Sequence, residues 1–152
     1  MNGVQILLVE DNPSDLALAL HAFKKHNLTN GVHVARDGEQ ALEYLFKSGE
    51  HAGRESATDP QVILLDLKLP KVEGLEVLRA IKADERTRDI PVVVLTSSAA
   101  ERDIVETYSL GVNSYIVKPV DFDQFSEAVR VIGFYWLLLN QSPPRGQRAV
   151  AP

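Results

Sequence analysis

Short apolar runs and helical segments alternate along this chain. Five predominantly apolar runs, each bounded by polar or turn-forming residues, are typical of strands buried on both faces of a parallel sheet. They occupy residues 4–9, 32–35, 62–65, 91–95 and 114–117. After each run, apolar residues recur at the spacing of an amphipathic helix. The first such stripe consists of Leu16, Ala19, Leu20 and Phe23.

This alternation predicts a doubly wound α/β fold. Five strands alternating with five helices favour right-handed parallel crossovers, and hence a five-stranded parallel sheet between two helix layers. No linker interrupts the pattern before residue 141, so we expect one domain over residues 1–140 and a disordered tail over residues 141–152. Residues 48–60 are polar and show no periodicity, and we expect an irregular, mobile loop there.

The composition excludes several classes of protein. The 152 residues include 16 Lys and Arg, 21 Asp and Glu, and no Cys, which gives a net charge of -5. Without Cys there is no disulfide, no thiolate nucleophile and no thiolate zinc site. The acidic balance argues against nucleic acid or an anionic membrane as a partner. The first residues lack the pattern of a signal peptide, so we expect a cytoplasmic protein.

Reactive residue types follow four of the five apolar runs. In a doubly wound sheet, the carboxyl ends of the strands meet at one crevice. The residues at these ends are Glu10, Asp11, Asp66, Thr96 and Lys118. The second strand, expected at an edge of the sheet, contributes none. A single acid or lysine at a strand end is more often a helix cap or a solvated turn, but five of them in this order favour a functional site.

The three carboxylates predict a divalent cation. Carboxylates within several Å of one another repel unless a cation lies between them. A ligand set made only of oxygen atoms favours Mg2+, which completes its shell with water and phosphate oxygens. In such a site Asp66 can itself accept a phosphoryl group, while Lys118 and Thr96 donate to the phosphoryl oxygens.

Four segments resemble the receiver domain of two-component response regulators. They read LVEDNP at residues 8–13, LLDLKLP at 64–70, VLTS at 94–97 and GVNSYIVKP at 111–119. The resemblance covers residues 4–140 and implies a flavodoxin-like receiver fold with strand order 2-1-3-4-5. It also implies a sensor histidine kinase as the partner that supplies the phosphoryl group.

The resemblance further assigns a role to each site residue. It implies that Asp66 is phosphorylated, and that Thr96 and Tyr115 form a switch pair that responds; for Tyr115, a core-facing aromatic residue is the alternative. The Mg2+ ligands that it implies are Asp11, Asp66, the Lys68 carbonyl and, through water, Glu10. Such a protein is not an enzyme in the usual sense, although it promotes its own phosphorylation and dephosphorylation.

The last helix carries a second apolar stripe beside the one that faces the core. It consists of Val131, Phe134, Tyr135 and Leu138. One sheet cannot cover both faces, and exposed large apolar side chains usually mark an interface, so we predict a homodimer through this helix. Alternatively, the chain end folds over the stripe, or the helix stops at Gly133. The long helix and the 48–60 loop resemble the small response regulators that pair with bacterial phytochromes.

Two other functions compete with a phosphorylated regulator. A phosphatase of the haloacid-dehalogenase type also uses an aspartate and Mg2+, but it needs a second Asp where Lys68 stands, to protonate the leaving group. A receiver-like module that is never phosphorylated would serve only for docking. We expect no effector domain after residue 140, so the output of a regulator would pass through protein–protein contacts.

Overall fold

The fold is seen in a computed structural model that describes residues 5–28, 31–55, 59–97, 100–118 and 121–139. Within these ranges, the side chains of residues 101, 105 and 132–139 are outside the description. The elements are β1 (Ile6–Val9), α1 (Pro13–Lys25), β2 (Val32–Ala35), α2 (Gly38–Phe46), β3 (Val62–Leu65), α3 (Gly74–Ala83), β4 (Val92–Thr96), α4 (Glu101–Ser109), β5 (Ser114–Val117) and α5 (Phe122–Leu139). The predicted tail at 141–152, and the domain end at residue 140, lie outside the described residues.

The five strands form one parallel sheet in the order β2-β1-β3-β4-β5. Strand β1 lies between β2 and β3, because Ile6 pairs with Val32 of β2 and with Val62 of β3. This order and the alternation with helices confirm the predicted doubly wound, flavodoxin-like fold. Parallel strands place all their carboxyl ends at the same edge of the sheet, which is where a ligand crevice forms in this class of fold.

Two apolar layers enclose the sheet, one on each face. Alternate residues of a strand point to opposite faces. Leu7 and Val9 therefore pack with the cluster that includes residues of α2 and α3, whereas Ile6 and Leu8 pack with residues of α1 and α5. All four are buried, which explains why β1 reads as a continuous apolar run rather than an alternating one.

Local interactions fix the loops at the carboxyl edge of the sheet. Asn12 caps α1, since its side chain accepts hydrogen bonds from the backbone N–H groups of Ser14 and Asp15 at 2.9 and 3.0 Å. At the start of α3, the Gly74 N–H donates to the carbonyl of Leu67 at 2.9 Å. A Cβ atom at position 74 would overlap this loop's backbone, so only glycine lets α3 begin so close to the end of β3.

The segment between α2 and β3 contains more structure than its sequence predicts. Residues Gly49–His51 form a 3-10 turn, so the prediction of an irregular loop is wrong there. The Arg54 side chain is buried and donates to the Tyr44 carbonyl at 2.8 Å, which ties the segment to the end of α2. Residues 56–58 lie outside the described residues. None of the helices in the described part of the chain has both the length and the apolar character needed to cross a membrane.

Candidate functional site

Three carboxylates converge at the ends of β1 and β3. Val9 and Leu65 are register partners in these adjacent strands, so the residues that follow them, Glu10 and Asp66, emerge side by side. Backbone hydrogen bonds hold both positions: the Asp66 N–H donates to the Val9 carbonyl at 3.1 Å, and the Glu10 N–H donates to the Ala35 carbonyl at 3.0 Å. One carboxylate oxygen from each of Glu10, Asp11 and Asp66 lies within 4.8 Å of the others.

Lys118 reaches these carboxylates from the end of β5. Its backbone N–H donates to the Thr96 carbonyl at 2.8 Å, which fixes the start of its side chain beside β4. The ammonium nitrogen Nζ lies 2.6 Å from Glu10 Oε1, 2.8 Å from Asp15 Oδ2 and 3.1 Å from Asp66 Oδ2. The structure therefore brings together the predicted Glu10, Asp11, Asp66 and Lys118. We call this group, with Asp15, the acidic pocket.

Burial and charge shift the pKa values of two groups in the acidic pocket. Burial raises the pKa of Glu10 to about 7; the negative charge of Asp66 adds to the rise, and hydrogen bonds from Lys118 and the Asn12 N–H oppose it. For Lys118, burial acts to lower the pKa, but hydrogen bonds to Asp15 and Glu10 and the charge of Asp66 outweigh it and raise the pKa. The lysine is therefore a stable cation among carboxylates that crowd one another.

The other predicted site residues surround this pocket. Thr96 is buried at the end of β4, and its carbonyl accepts from Lys118 as described above. The Lys68 side chain is exposed, while its backbone N–H donates to Asp66 Oδ1 at 3.1 Å and so orients that carboxylate. Tyr115 is half-buried in β5 and packs against the core cluster on the α2–α3 face. Their roles in switching and metal binding stay predictions.

Two charged residues near the site, Asp15 and Arg36, were not identified from the sequence. Asp15, in the first turn of α1, contacts Lys118, although its position there is equally typical of an acid near a helix start. The second strand lies at an edge of the sheet, as expected. Arg36, directly after β2, donates from Nη2 to the Asp11 carbonyl at 3.4 Å. Arg36 could have been found from the sequence by the same rule that identified the other residues, because it is a charged residue at the end of a strand.

The residues predicted for a dimer interface lie on α5, away from the pocket. The Val131 side chain is 51% exposed, as expected for a face that points away from the sheet. The side chains of Phe134, Tyr135 and Leu138 are outside the described part of the structure. The helix itself continues through Gly133 to Leu139, so it does not stop at the glycine.

The acidic pocket fits a Mg2+ ion. Two oxygen ligands on opposite sides of a Mg2+ ion, each at about 2.1 Å, lie about 4.2 Å apart. Adjacent oxygen ligands lie about 3.0 Å apart in the same shell. The three carboxylate oxygens lie within 4.8 Å of one another, which is close to the span of such a shell. The pocket also holds four carboxylates against one ammonium, and this excess of negative charge favours a divalent cation.

Comparisons with known proteins agree with this geometry. The model of the response regulator receiver domain matches residues 6–130. The chain is 47% identical over 138 residues to the probable methanogenesis regulatory protein FilR2 of Methanothrix harundinacea, covering 91% of this chain and 86% of that protein. Among solved structures, it is similar to the bacteriophytochrome response regulator AtBRR (54% identity, TM-score 0.74, covering 93% of this chain and 100% of that one). It is also similar to the phosphorylated cyanobacterial phytochrome response regulator RcpA (42% identity, TM-score 0.78, covering 90% and 95%).

Proposed function

Because this chain belongs to the response regulator receiver family, we propose that Asp66 accepts a phosphoryl group from the phosphohistidine of a sensor histidine kinase. The observation that carries the proposal is the buried Asp66 carboxylate within hydrogen-bond distance of Lys118 and among two further acids. Membership of the family, with Lys68 where a second Asp would be needed, excludes the haloacid-dehalogenase alternative.

The transfer needs few groups beyond those in the pocket. An oxygen of the Asp66 carboxylate attacks the phosphorus atom, the P–N bond to the donor imidazole breaks, and the imidazole nitrogen keeps the electron pair and takes a proton from water. Lys118 and the Thr96 hydroxyl donate to the phosphoryl oxygens, where negative charge is concentrated in the transition state. The Lys68 N–H holds the other Asp66 oxygen and orients the nucleophile.

Glu10, Asp11, Asp66 and the Lys68 carbonyl would hold Mg2+ in this pocket, Glu10 through water. When bound, Mg2+ supplies positive charge that offsets the carboxylates and the phosphoryl oxygens. A cleft of about 550 Å3 opens beside Asp11 and Lys68, with Glu73, Arg102 and Asp103 also lining it. This opening gives a donor group a path to the site, and its charged rim suits a polar protein surface.

The output of phosphorylation would pass through protein contacts rather than through nucleic acid. Thr96 and Tyr115 are the residues we propose to relay the change, and the exposed Val131 marks the α5 face through which we propose a homodimer. The likeness to AtBRR and RcpA supports a bacterial phytochrome as the kinase, acting in the cytoplasm. Self-catalysed phosphorylation and dephosphorylation belong to the same proposal.

Phosphorylation can be measured directly with small donors. The protein is incubated with acetyl phosphate or phosphoramidate, with Mg2+ or with EDTA, and its intact mass and native size are recorded. We expect the gain of one phosphoryl group with Mg2+, a strong reduction with EDTA, and no gain in Asp66→Asn. Asp123→Asn is the matched control, because Asp123 is an exposed aspartate in the first turn of α5.

The same experiment separates the proposal from the docking alternative. Absence of any phosphoryl gain from both donors, in folded wild-type protein with Mg2+, would contradict the proposal and favour a docking module. An equal gain in Asp66→Asn would mean that another residue is the acceptor. An increase in native size on phosphorylation would support the dimer through α5, and its loss in Val131→Glu would assign the interface to that helix.

A further inference from the structure

Asp15 contributes a carboxylate that the transfer chemistry does not need. We propose that Asp15 is a positioning residue that holds the Lys118 ammonium in the unphosphorylated protein and thereby lowers the fraction of Asp66 that is phosphorylated. The inference rests on the proposed function, because it concerns the cation that would bind the phosphoryl group. Asp15 would thus set the balance between the unphosphorylated and phosphorylated protein, and it would take no part in the transfer of the phosphoryl group.

The argument begins with the donors of Lys118. A lysine ammonium has three N–H donors and no acceptor. In the acidic pocket three carboxylates, from Glu10, Asp15 and Asp66, lie within 3.1 Å of Nζ, so all three donors are in use. A phosphoryl oxygen on Asp66 must therefore compete for a donor that a carboxylate already holds. The distance to Asp66 is the longest of the three, so Lys118 is held more closely by the other two acids.

Asp15 is the competitor that can release Lys118 most easily. Its side chain is 38% exposed, whereas that of Glu10 is buried. Water can therefore hydrate the Asp15 carboxylate when the ammonium leaves, whereas an unpaired Glu10 would be left desolvated. The Asp15 backbone N–H donates to Asn12 Oδ1 at 3.0 Å, so the cap of α1 fixes where this carboxylate stands. Removing its charge leaves Glu10, Asp11 and Asp66 unchanged.

The test compares the phosphorylated fraction at a limiting concentration of acetyl phosphate with Mg2+. In Asp15→Asn we expect the ratio of phosphorylated to unphosphorylated protein to rise about fivefold, the effect of one partly exposed ion pair. Asp15→Glu should restore a ratio near that of wild type. Asp123→Asn removes the same charge from the first turn of another helix and should leave the ratio unchanged. In a Lys118→Met background, Asp15→Asn should have no further effect, because Asp15 acts through Lys118.

A second readout needs neither metal nor phosphoryl donor. Hydrogen exchange of the Lys118 side-chain ammonium, followed by NMR in metal-free protein, should be faster in Asp15→Asn than in wild type and Asp123→Asn. If wild type is phosphorylated but Asp15→Asn reaches the same or a lower ratio, the inference is wrong while the proposed function stands. If wild type takes up no phosphoryl group from either small donor, the proposed function fails, and the inference fails with it.

Discussion

Two cations with largely buried side chains, Lys118 and Arg54, differ in how much negative charge surrounds them. Lys118 follows β5 at the carboxyl edge of the sheet, and Arg54 lies in the segment that precedes β3. Their side chains are similarly hidden, at 10% and 7% exposed. Lys118 contacts three carboxylates. Arg54 donates to the Asp59 carboxylate at 2.7 Å and to the Tyr44 carbonyl at 2.8 Å, and its guanidinium lies over the Tyr44 ring at 4.3 Å.

The balance of charge distinguishes the two regions. Near Arg54, two cations, Arg54 and Lys47, contact the Asp59 carboxylate, and Arg54 also donates to the backbone carbonyls of Tyr44 and Leu45, so positive charge balances the carboxylate. In the acidic pocket one ammonium meets four carboxylates, which leaves negative charge for a cation to offset. The residue types differ accordingly, because a planar guanidinium fixes its partners while a flexible lysine can move between acceptors. Uncompensated buried charge is thus the feature that separates a functional site from a structural one.

The largest expected effect comes from removing the cation of the acidic pocket. Lys118→Met keeps much of the side-chain volume but removes the donor to the phosphoryl oxygens. We expect the initial rate of phosphoryl uptake from acetyl phosphate to fall about a hundredfold, the usual cost of losing one such donor. Intact mass over time measures the rate. Lys24→Met, an exposed lysine of α1, is the control and should behave as wild type; equal rates in both variants would contradict the role of Lys118.

The next effect concerns stability rather than phosphorylation. Arg54→Met removes one donor from the Tyr44 carbonyl and leaves Asp59 paired with the more distant Lys47 at 3.5 Å, so we expect the free energy of unfolding to fall by about 2 kcal/mol. The rate of phosphoryl uptake in the folded protein should not change. Urea unfolding followed by circular dichroism gives the first quantity. Arg54→Lys should recover only part of the loss, because it restores the charge but not the planar set of donors.

The control for this variant is Arg130→Met. Arg130 pairs with Glu127 on the exposed face of α5, and such surface pairs contribute little to stability. If Arg54→Met lowers the free energy of unfolding no more than Arg130→Met does, the burial of Arg54 adds nothing to stability. A fall in phosphoryl uptake in Arg54→Met would instead join the two regions into one functional unit and break the distinction drawn between them.

The two regions also differ in how far the sequence could predict them. Glu10, Asp66 and Lys118 follow apolar runs directly, and parallel strands bring such positions to one edge, so a local pattern was enough. No comparable rule applies to Arg54, which lies in a polar segment without periodicity. Its burial depends on contacts with the end of α2 that only the tertiary structure brings about. Asp15 is an intermediate case, because the sequence predicts that it lies near the start of α1 but does not predict that its side chain contacts Lys118.

The smallest expected effect is a dependence of stability on pH in the region of Arg54. His33 stacks on the Tyr44 ring at 3.9 Å and lies 5.1 Å from the His51 ring. Burial, followed by the neighbouring His51 and Arg54, lowers the pKa of His33 below the ordinary 6.5. The unfolded chain then binds a proton at a higher pH than the folded protein does. The contribution of neutral His33 to the free energy of unfolding is therefore fully present above about pH 6.5 and declines as the pH falls below this value.

His33→Phe tests this dependence, because phenylalanine can stack on Tyr44 but does not titrate. Relative to the variant, wild type should lose about 1–2 °C in Tm between pH 7 and pH 5. The acidic pocket acts in the opposite sense, since the raised pKa of Glu10 favours the folded protein as the pH falls through 7. That contribution is common to both proteins and cancels in their difference. A difference in Tm that stays constant from pH 8 to pH 5 would show that His33 has the same pKa in the folded and unfolded states, so that its charge, unlike that of Glu10, does not depend on folding.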